Sequence, residues 1–321
     1  MVKTIPWIKK IINLMQSVNE CFDKVKKDYL KFTNKEKIYK KSMSIHIKNL
    51  KNIYIPIAFW INKKYEKKGK TLLLGLAASQ GSGKTTLAAI LSIILKIFFK
   101  RRVCVISIDD FYKTLSDRNI MAKKTHPLFK IRGVPGTHDI NLVKNFFTSI
   151  KKKKFKKINL PKFNKSIDDR FTKNRWYKIT KKPEIIIFEG WCVGAKAESI
   201  SSLKKPINSL EKNEDQDLIW RKFVNKKLEN EYKKVFSMID YFIFMKVPSF
   251  KMVFKWRLLQ EIKLKNKLNY KKKIMSFDEI KRFIMFYQRI TLQMIKDLSK
   301  SASVLLLLEK NHEIKKILFR S

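Results

Sequence analysis

The residues with the clearest chemical pattern form a short loop between an apolar run and a helix-forming run. Residues 78–85 (Ala-Ser-Gln-Gly-Ser-Gly-Lys-Thr) match the pattern of a phosphate-binding loop, except that Ala78 replaces the first glycine. Glycines let successive backbone N–H groups turn inward around a phosphate, and the N-terminus of the following helix adds a positive dipole. Lys84 is expected to contact the β- and γ-phosphates of a nucleotide, and the Thr85 hydroxyl to bind Mg²⁺. The residues predicted to bind the nucleotide are Ser79, Gln80, Gly81, Ser82, Gly83, Lys84, Thr85 and Thr86.

Acidic residues follow two further apolar runs. Asp109 and Asp110 end the run at 103–108, and Glu189 ends the run at 184–188. Ligands of parallel sheets bind beyond the carboxyl ends of the strands, so these acids can meet there. One acid of the Asp109–Asp110 pair can accept a proton from a substrate hydroxyl, and Glu189 can hold Mg²⁺ directly or through water. Taken alone, the Asp109–Asp110 pair is more typical of a helix N-cap or a loop, and Glu189 is a weak signal because many strands end in an acid. The neighbouring phosphate-binding loop favours the chemical interpretation.

A glycine- and proline-rich turn at 132–139 (Arg-Gly-Val-Pro-Gly-Thr-His-Asp) precedes a predicted helix. Thr137 or Asp139 is expected near the N-cap of that helix. Arg132 can bind a carboxylate or phosphate through two parallel hydrogen bonds. His138 taken alone is more typical of a structural, hydrogen-bonded histidine than of a site residue.

An alternation of apolar runs and amphipathic segments positions these residues. Short β-branched runs separated by helices predict a mostly parallel sheet covered on both faces. The predicted strands are Thr71–Ala77, Val103–Ile108, Glu184–Phe188, Tyr241–Val247 and Ser303–Leu308. The predicted helices are the first ~45 residues, Ile53–Tyr65, Lys84–Phe99, Ile140–Ile150, Leu218–Phe236, Phe250–Lys267 and Phe277–Leu298.

Composition excludes several classes of protein. With 321 residues, 45% of them hydrophobic, and only 8 glycines and 8 prolines, the chain is neither disordered nor collagenous. No apolar run reaches the roughly 18 residues that span a bilayer, and the N-terminal residues lack the pattern of a secretory signal. The three cysteines are too far apart for a disulfide framework or a zinc site. We therefore expect a cytoplasmic protein with no membrane partner, of unspecified oligomeric state.

The formal net charge of +46 invites a nucleic-acid interpretation, since lysine and arginine neutralise phosphates. The lysines are spread along nearly the whole chain, however, and the abundance of Ile, Asn, Phe and Lys is typical of AT-biased codon usage. A solvated basic surface is the favoured explanation, and no dedicated nucleic-acid site is expected. A nucleic-acid-associated NTPase remains an alternative.

These motifs together resemble the P-loop D-glycerate 3-kinases, in particular the bacterial branch known as glycerate kinase or P-loop kinase. The resemblance runs from about Asn49 to about Ile317, and more loosely includes uridine kinases, phosphoribulokinases and bacterial pantothenate kinases. The motifs that carry it are Ala-Ala-Ser-Gln-Gly-Ser-Gly-Lys-Thr-Thr (77–86), Ser-Ile-Asp-Asp-Phe-Tyr (107–112), His-Pro-Leu (126–128), Arg-Gly-Val-Pro-Gly-Thr-His-Asp (132–139), Pro-Lys-Phe-Asn-Lys-Ser-Ile-Asp-Asp-Arg (161–170), Glu-Gly-Trp-Cys-Val-Gly-Ala (189–195) and Trp-Arg-Leu-Leu-Gln-Glu (256–261).

The resemblance implies a three-layer α/β P-loop kinase domain at 49–321, with residues 1–48 as an N-terminal helical extension. It implies ATP and Mg²⁺ as cofactors and transfer of the γ-phosphoryl group to the 3-hydroxyl of D-glycerate. The resemblance implies that the catalytic residues are Lys84, Asp109 and Arg257, with Arg257 supplied by a lid. The acidic substrate would contact Asp110, Tyr112, Arg132, His138, Lys165 and Arg170, and the metal Thr85 and Glu189.

Two points stay open in the resemblance. Asp109 is the expected proton acceptor, with Asp110 as the less favoured choice. Asn164 stands where the family has aspartate, so the acceptor could be another small hydroxylated molecule, such as a nucleoside or pantothenate.

Overall fold

Apolar runs of the chain form a central sheet. The computed structural model of the protein describes residues 6–36, 42–265 and 275–320. The strands are β1 Leu72–Ala78, β2 Val103–Ser107, β3 Ile158–Leu160, β4 Phe163–Asn164, β5 Asp169–Arg170, β6 Tyr177–Ile179, β7 Ile185–Gly190, β8 Tyr241–Lys246, β9 Val304–Leu308 and β10 Ile314–Phe319. Six of them form one sheet in the order β10-β9-β8-β1-β7-β2, while β3 with β6 and β4 with β5 form two small two-stranded antiparallel sheets.

The mostly parallel pairing of the strands is consistent with the apolar sequence of the sheet. β8 runs parallel to β1, with Leu74 opposite Tyr241 and Ala78 opposite Met245, and it also runs parallel to β9. β10 is antiparallel to β9. Every residue of β1 and of β7 is buried, as expected for strands with both faces covered.

Helices precede and connect the strands, and some of them begin at side-chain caps. They are α1 Pro6–Lys35, α2 Met43–Asn49, α3 Ile55–Lys68, α4 Lys84–Ile97, α5 Leu115–Lys124, α6 Ile140–Lys151, α7 Ile200–Lys204, α8 Ser209–Glu214, α9 Ile219–Lys227, α10 Lys233–Phe236, α11 Phe250–Lys265 and α12 Phe277–Ser301. Capping boxes at Thr114 and Ser276 open α5 and α12, and the Asp139 carboxylate caps α6. π-helical turns at Leu50–Tyr54 and Leu228–Tyr232 join α2 to α3 and α9 to α10.

The chain divides into two compact units, one of residues up to 72 with 85–105 and 183–186, the other of residues 73–84, 106–182 and 187 onward. In the first unit the Tyr29 hydroxyl lies 3.3 Å from His46 Nδ1. Phe59 packs edge-on against Phe99, with ring centroids 4.9 Å apart. The second unit contains the functional residues considered below except Thr85 and Thr86. The division of the chain at residue 48 stays a prediction.

The α/β class and the mostly parallel sheet are confirmed. The first predicted helix differs, since α1 ends at Lys35 and α2 begins at Met43. Positions 1–5, 37–41, 266 and 267 of the predicted helices lie outside the described residues. The predictions missed α5, α7, α8, β10 and both two-stranded sheets. In the part of the chain that the structure describes, no helix combines the length and apolar character needed to cross a membrane.

Candidate active site

The phosphate-binding loop joins the end of β1 to the start of α4. Gly81 and Gly83 have φ of +76° and +90°, a region that L side chains rarely adopt, so both positions require glycine. The Ser82 hydroxyl closes the turn by donating to the Ser79 carbonyl oxygen at 2.7 Å. The loop therefore has the backbone conformation and the helix N-terminus that hold a nucleotide phosphate.

Ala78, the departure from the loop pattern, is the last residue of β1. It pairs in parallel register with Met245 and is fully buried. In the described chain it is not among the residues with positive φ. An L side chain is therefore tolerated here, because this position continues the strand.

The loop is held from outside by the turn between β9 and β10. His312 Nε2 donates to the Gly81 carbonyl oxygen at 3.0 Å. The His312 ring stacks on Trp256 of α11, with ring centroids 4.1 Å apart, and Trp256 Nε1 donates to the Lys310 carbonyl oxygen at 3.0 Å. The sequence gives no signal for His312, because this contact joins residues far apart in the chain.

Asp109 interacts with several of the other predicted site residues. Its carboxylate accepts a hydrogen bond from Lys165 Nζ at 2.7 Å and from the Tyr112 hydroxyl at 3.1 Å. Burial acts to raise the pKa of Asp109, but the charges of Lys165 and Lys84 outweigh it and lower the pKa to about 2. Asp109 is therefore ionised at neutral pH.

Asp110 has the opposite electrostatic environment. Its carboxylate accepts a hydrogen bond from the Phe163 backbone N–H at 3.2 Å. Burial, together with the charges of Asp109 and Glu189, raises the pKa of Asp110 to about 6. The two neighbouring carboxyl groups are thus pushed to different pKa values, a pattern that active sites use to assign different roles.

Arg132 is fixed next to this cluster by Asp168. The Arg132 guanidinium forms an ion pair with the Asp168 carboxylate and lies 5.4 Å from the centroid of the Phe163 ring. Arg118, which is fully buried, binds the same carboxylate at 3.0 Å. Asp168 therefore links two arginines, and neither Arg118 nor Asp168 was predicted.

Arg170 lies in the site, but its guanidinium is engaged with the protein. Nε donates to the Tyr112 carbonyl oxygen at 2.6 Å, and the guanidinium pairs with Asp139 at 3.2 Å. The β4–β5 hairpin thus supplies two cations with different partners: Lys165 pairs with Asp109, and Arg170 braces the backbone that carries Tyr112.

His138 is packed beneath Tyr112. The two rings stack with centroids 4.4 Å apart, and His138 Nδ1 lies 2.7 Å from the hydroxyl of Tyr232. Burial lowers the pKa of His138 to about 3, so the ring is neutral. Tyr232, which was not predicted, ends the π-helical turn at 228–232.

Gly133 shows why the turn before α6 contains glycine. Its φ is +147°, and a Cβ at this position would overlap the hydroxyl of Tyr287. The Gly133 N–H donates to the Thr137 hydroxyl at 3.0 Å, which closes the turn ahead of His138. Asp139, one of the two predicted caps, accepts a hydrogen bond from the Leu142 N–H.

Glu189 is the penultimate residue of β7 and is buried, with 3% of its surface exposed. The hydroxyl of Thr85 and the carboxylate of Glu189 are hard oxygen donors of the kind that Mg²⁺ prefers. Within the described ranges no cluster of three or more His, Cys, Asp or Glu side chains could hold a metal.

Arg257, the predicted lid arginine, lies on α11. Its guanidinium forms an ion pair with Glu261 and lies 5.3 Å from the centroid of the Phe283 ring. Within the described residues, the structure pairs Arg257 with Glu261 on its own helix and not with the carboxylates at 109 and 110.

No family model matches the chain. It is 32% identical over 247 residues to the uncharacterized kinase mug58 of Schizosaccharomyces pombe, covering 74% of this chain and 86% of that protein. It is 30% identical over 233 residues to the chloroplastic D-glycerate 3-kinase of Arabidopsis thaliana, covering 67% of this chain and 48% of that protein, about half its length.

A solved structure shows the same fold. D-glycerate 3-kinase from Cryptococcus neoformans var. grubii superposes with a TM-score of 0.70 at 22% identity, covering 84% of this chain and 99% of that chain. The match to a kinase over most of the chain assigns the protein to a kinase family. The mostly parallel sheet and the loop from β1 to α4 agree with this assignment. The chain is a phosphotransferase that belongs to the family of P-loop kinases related to D-glycerate 3-kinase.

Proposed function

We propose that the protein transfers the γ-phosphoryl group of ATP to the 3-hydroxyl of D-glycerate, giving ADP and 3-phosphoglycerate. The observation that carries this proposal is the environment of Asp109. Its carboxylate lies within the electrostatic reach of Lys84, on the nucleotide side, and is bonded to Lys165, on the side of the basic residues. An acidic hydroxylated acceptor fits between these two groups of charges.

On the nucleotide side, the loop amides and Lys84 bind the β- and γ-phosphates, and Thr85 and Glu189 would hold Mg²⁺. The metal ion, when bound, neutralises charge that develops on the phosphate oxygens. Lys84 adds a fixed positive charge at the same phosphates. Together these groups stabilise the transition state by position and charge, with little covalent chemistry from the protein.

On the acceptor side, Asp109 accepts a hydrogen bond from the substrate hydroxyl and aligns it with the phosphorus atom. Phosphoryl transfer passes through a loose transition state, so orientation of the hydroxyl matters more than the basicity of the carboxylate. Lys165 and Arg132 provide positive charge for the substrate carboxylate. Asp110, whose pKa is raised to about 6, is the alternative proton acceptor.

Arg257 and Arg170 have different roles in this proposal. Arg257 serves the transferring phosphate by exchanging its Glu261 partner for a phosphate oxygen when the site is filled. Arg170 contacts the backbone of Tyr112 and the Asp139 carboxylate, so it supports the acceptor site and positions Tyr112.

The direct test is ADP release by the purified protein with ATP, Mg²⁺ and a panel of acceptors. D-glycerate is expected to give the highest kcat/KM, ahead of L-glycerate, uridine and pantothenate. The Lys84→Ala variant provides the background rate. Turnover with uridine or pantothenate and none with D-glycerate would contradict the proposed acceptor, while the kinase assignment would stand.

Asn164→Asp is expected to leave the acceptor preference unchanged. The Asn164 side-chain oxygen accepts a hydrogen bond from the Ser166 N–H at 2.9 Å, which stabilises the turn of the β4–β5 hairpin. An aspartate oxygen can accept the same bond. The measurement is the ratio of kcat/KM for D-glycerate to that for the best other acceptor. A change of more than about tenfold in this ratio would assign Asn164 to acceptor selection.

A further inference from the structure

The buried Tyr232 hydroxyl and the Gly136 N–H together determine the hydrogen-bonding state of the His138 ring. His138 is 2% exposed and Tyr232 is fully buried. The Tyr232 hydroxyl oxygen accepts the Gly136 N–H at 2.9 Å and lies 2.7 Å from His138 Nδ1. Any proton between Tyr232 and His138 therefore belongs to a bond that water does not reach.

The donor in this bond follows from counting hydrogen atoms. A tyrosine hydroxyl has one hydrogen to donate, and its oxygen here already accepts the Gly136 N–H. If Nδ1 carried a hydrogen, two donors would point at the same oxygen and the hydroxyl hydrogen would be buried without an acceptor. The Tyr232 hydroxyl therefore donates to an unprotonated Nδ1. Since burial keeps the ring neutral, its one hydrogen is on Nε2.

The Nε2 atom is buried and has no hydrogen-bond partner among the described residues. A buried N–H group of this kind usually has an acceptor, so its partner is expected to be a bound molecule. The surroundings identify the site. Tyr112 stacks on the His138 ring and donates to Asp109, and the charge of Asp109 acts on the pKa of His138.

We propose that Tyr232 is a positioning residue that fixes His138 as the neutral Nε2–H tautomer, and that His138 donates this hydrogen to an oxygen of the phosphoryl acceptor. The inference rests on the proposed function for the identity of that acceptor. The neutral Nε2–H group can bind a hydroxyl or carboxylate oxygen of the acceptor. Because it carries no positive charge, it does not compete with Lys165 for the Asp109 carboxylate. The π-helical turn at 228–232 carries Tyr232, and such turns are frequent at functional sites.

The tautomer can be measured in the wild-type protein without any turnover. The chain has four histidines, so single replacements of the other three assign the ring nitrogens of His138 in long-range ¹H–¹⁵N spectra. A pyridine-type Nδ1 and a pyrrole-type Nε2 are expected, and the Nε2 signal is expected to shift when the best acceptor is added. A hydrogen on Nδ1, or no shift of Nε2 with a saturating acceptor, would overturn the inference. Because the tautomer is read without catalysis, this result is independent of which acceptor the ADP-release panel selects.

Tyr232→Phe removes the hydroxyl and keeps the ring. It is expected to lower kcat/KM for the acceptor about tenfold, as loss of one oriented hydrogen bond would, with the KM for ATP changed less than about twofold. The His138 spectrum is expected to show both tautomers. Unchanged acceptor kinetics with an unchanged tautomer would overturn the role of Tyr232.

The chain provides a matched control for this variant. Tyr29 is also buried and its hydroxyl lies 3.3 Å from His46 Nδ1, in the first compact unit. Tyr29→Phe removes a tyrosine–histidine contact of the same chemistry, and it is expected to leave both kinetic constants unchanged. If Tyr232→Phe does not fold, the wild-type tautomer and its response to the acceptor decide the question.

Discussion

Lys84→Ala is expected to reduce kcat by about 10³-fold or more. In the proposed mechanism, the ammonium group neutralises charge that develops between the β- and γ-phosphates. No other side chain of the phosphate-binding loop carries a positive charge. Alanine is a strong helix former, so the start of α4 is expected to survive the change. The measurement is kcat from ADP release, with thermal unfolding as the check on folding.

Lys70→Ala is the matched control for Lys84→Ala. Lys70 is exposed, precedes β1, and carries the same charge. Its removal changes the net charge equally and is expected to leave kcat within about twofold of the wild-type value. If Lys84→Ala retained more than about a tenth of the wild-type kcat, Lys84 would not act on the transition state.

Asp109→Asn is expected to lower kcat by about 10²- to 10⁴-fold while the KM for ATP changes little. The amide keeps the shape of the carboxylate but loses the charge that pairs with Lys165 and the ability to accept two strong hydrogen bonds. The matched variant is Asp110→Asn, one residue away and with the same chemical change. It is expected to reduce kcat less than Asp109→Asn does.

The pH dependence of kcat separates the two carboxylates. A proton acceptor works only when ionised, so activity falls as the pH decreases through its pKa. The pKa of Asp109 is lowered to about 2, so Asp109 as acceptor gives no acidic limb between about pH 5 and about pH 8. The pKa of Asp110 is raised to about 6, so Asp110 as acceptor gives a limb near that pH. A limb that disappears in Asp110→Asn, with near-normal kcat in Asp109→Asn, would transfer the role to Asp110.

The fold and the loop at 78–85 could be predicted because their signals are local. The loop is one contiguous motif, and β1, β7 and α4 show the apolar patterns of fully buried strands and a packed helix. The β4–β5 hairpin, which carries Lys165 and Arg170, was missed because strands of two residues leave no periodicity to detect.

The partners of the site residues could not be predicted, because they come from distant parts of the sequence. Tyr232 lies 94 residues from His138, and His312 lies 231 residues from Gly81. Their types and spacing show no motif, and only the folded chain places them in contact. The same reason applies to Arg132, whose partner Asp168 is supplied by a hairpin that the sequence did not predict.

The stacking of His312 on Trp256 has a consequence for how ligands influence one another. One imidazole ring bonds the carbonyl of Gly81 in the phosphate-binding loop and packs on the helix that carries Arg257. A ligand whose affinity depends on the position of α11 is therefore coupled to a nucleotide held at that loop. Such coupling is reciprocal: if bound nucleotide raises the affinity for the acceptor by some factor, bound acceptor raises the affinity for the nucleotide by the same factor. The turn between β9 and β10 thus connects the phosphate-binding loop to α11 through a single side chain.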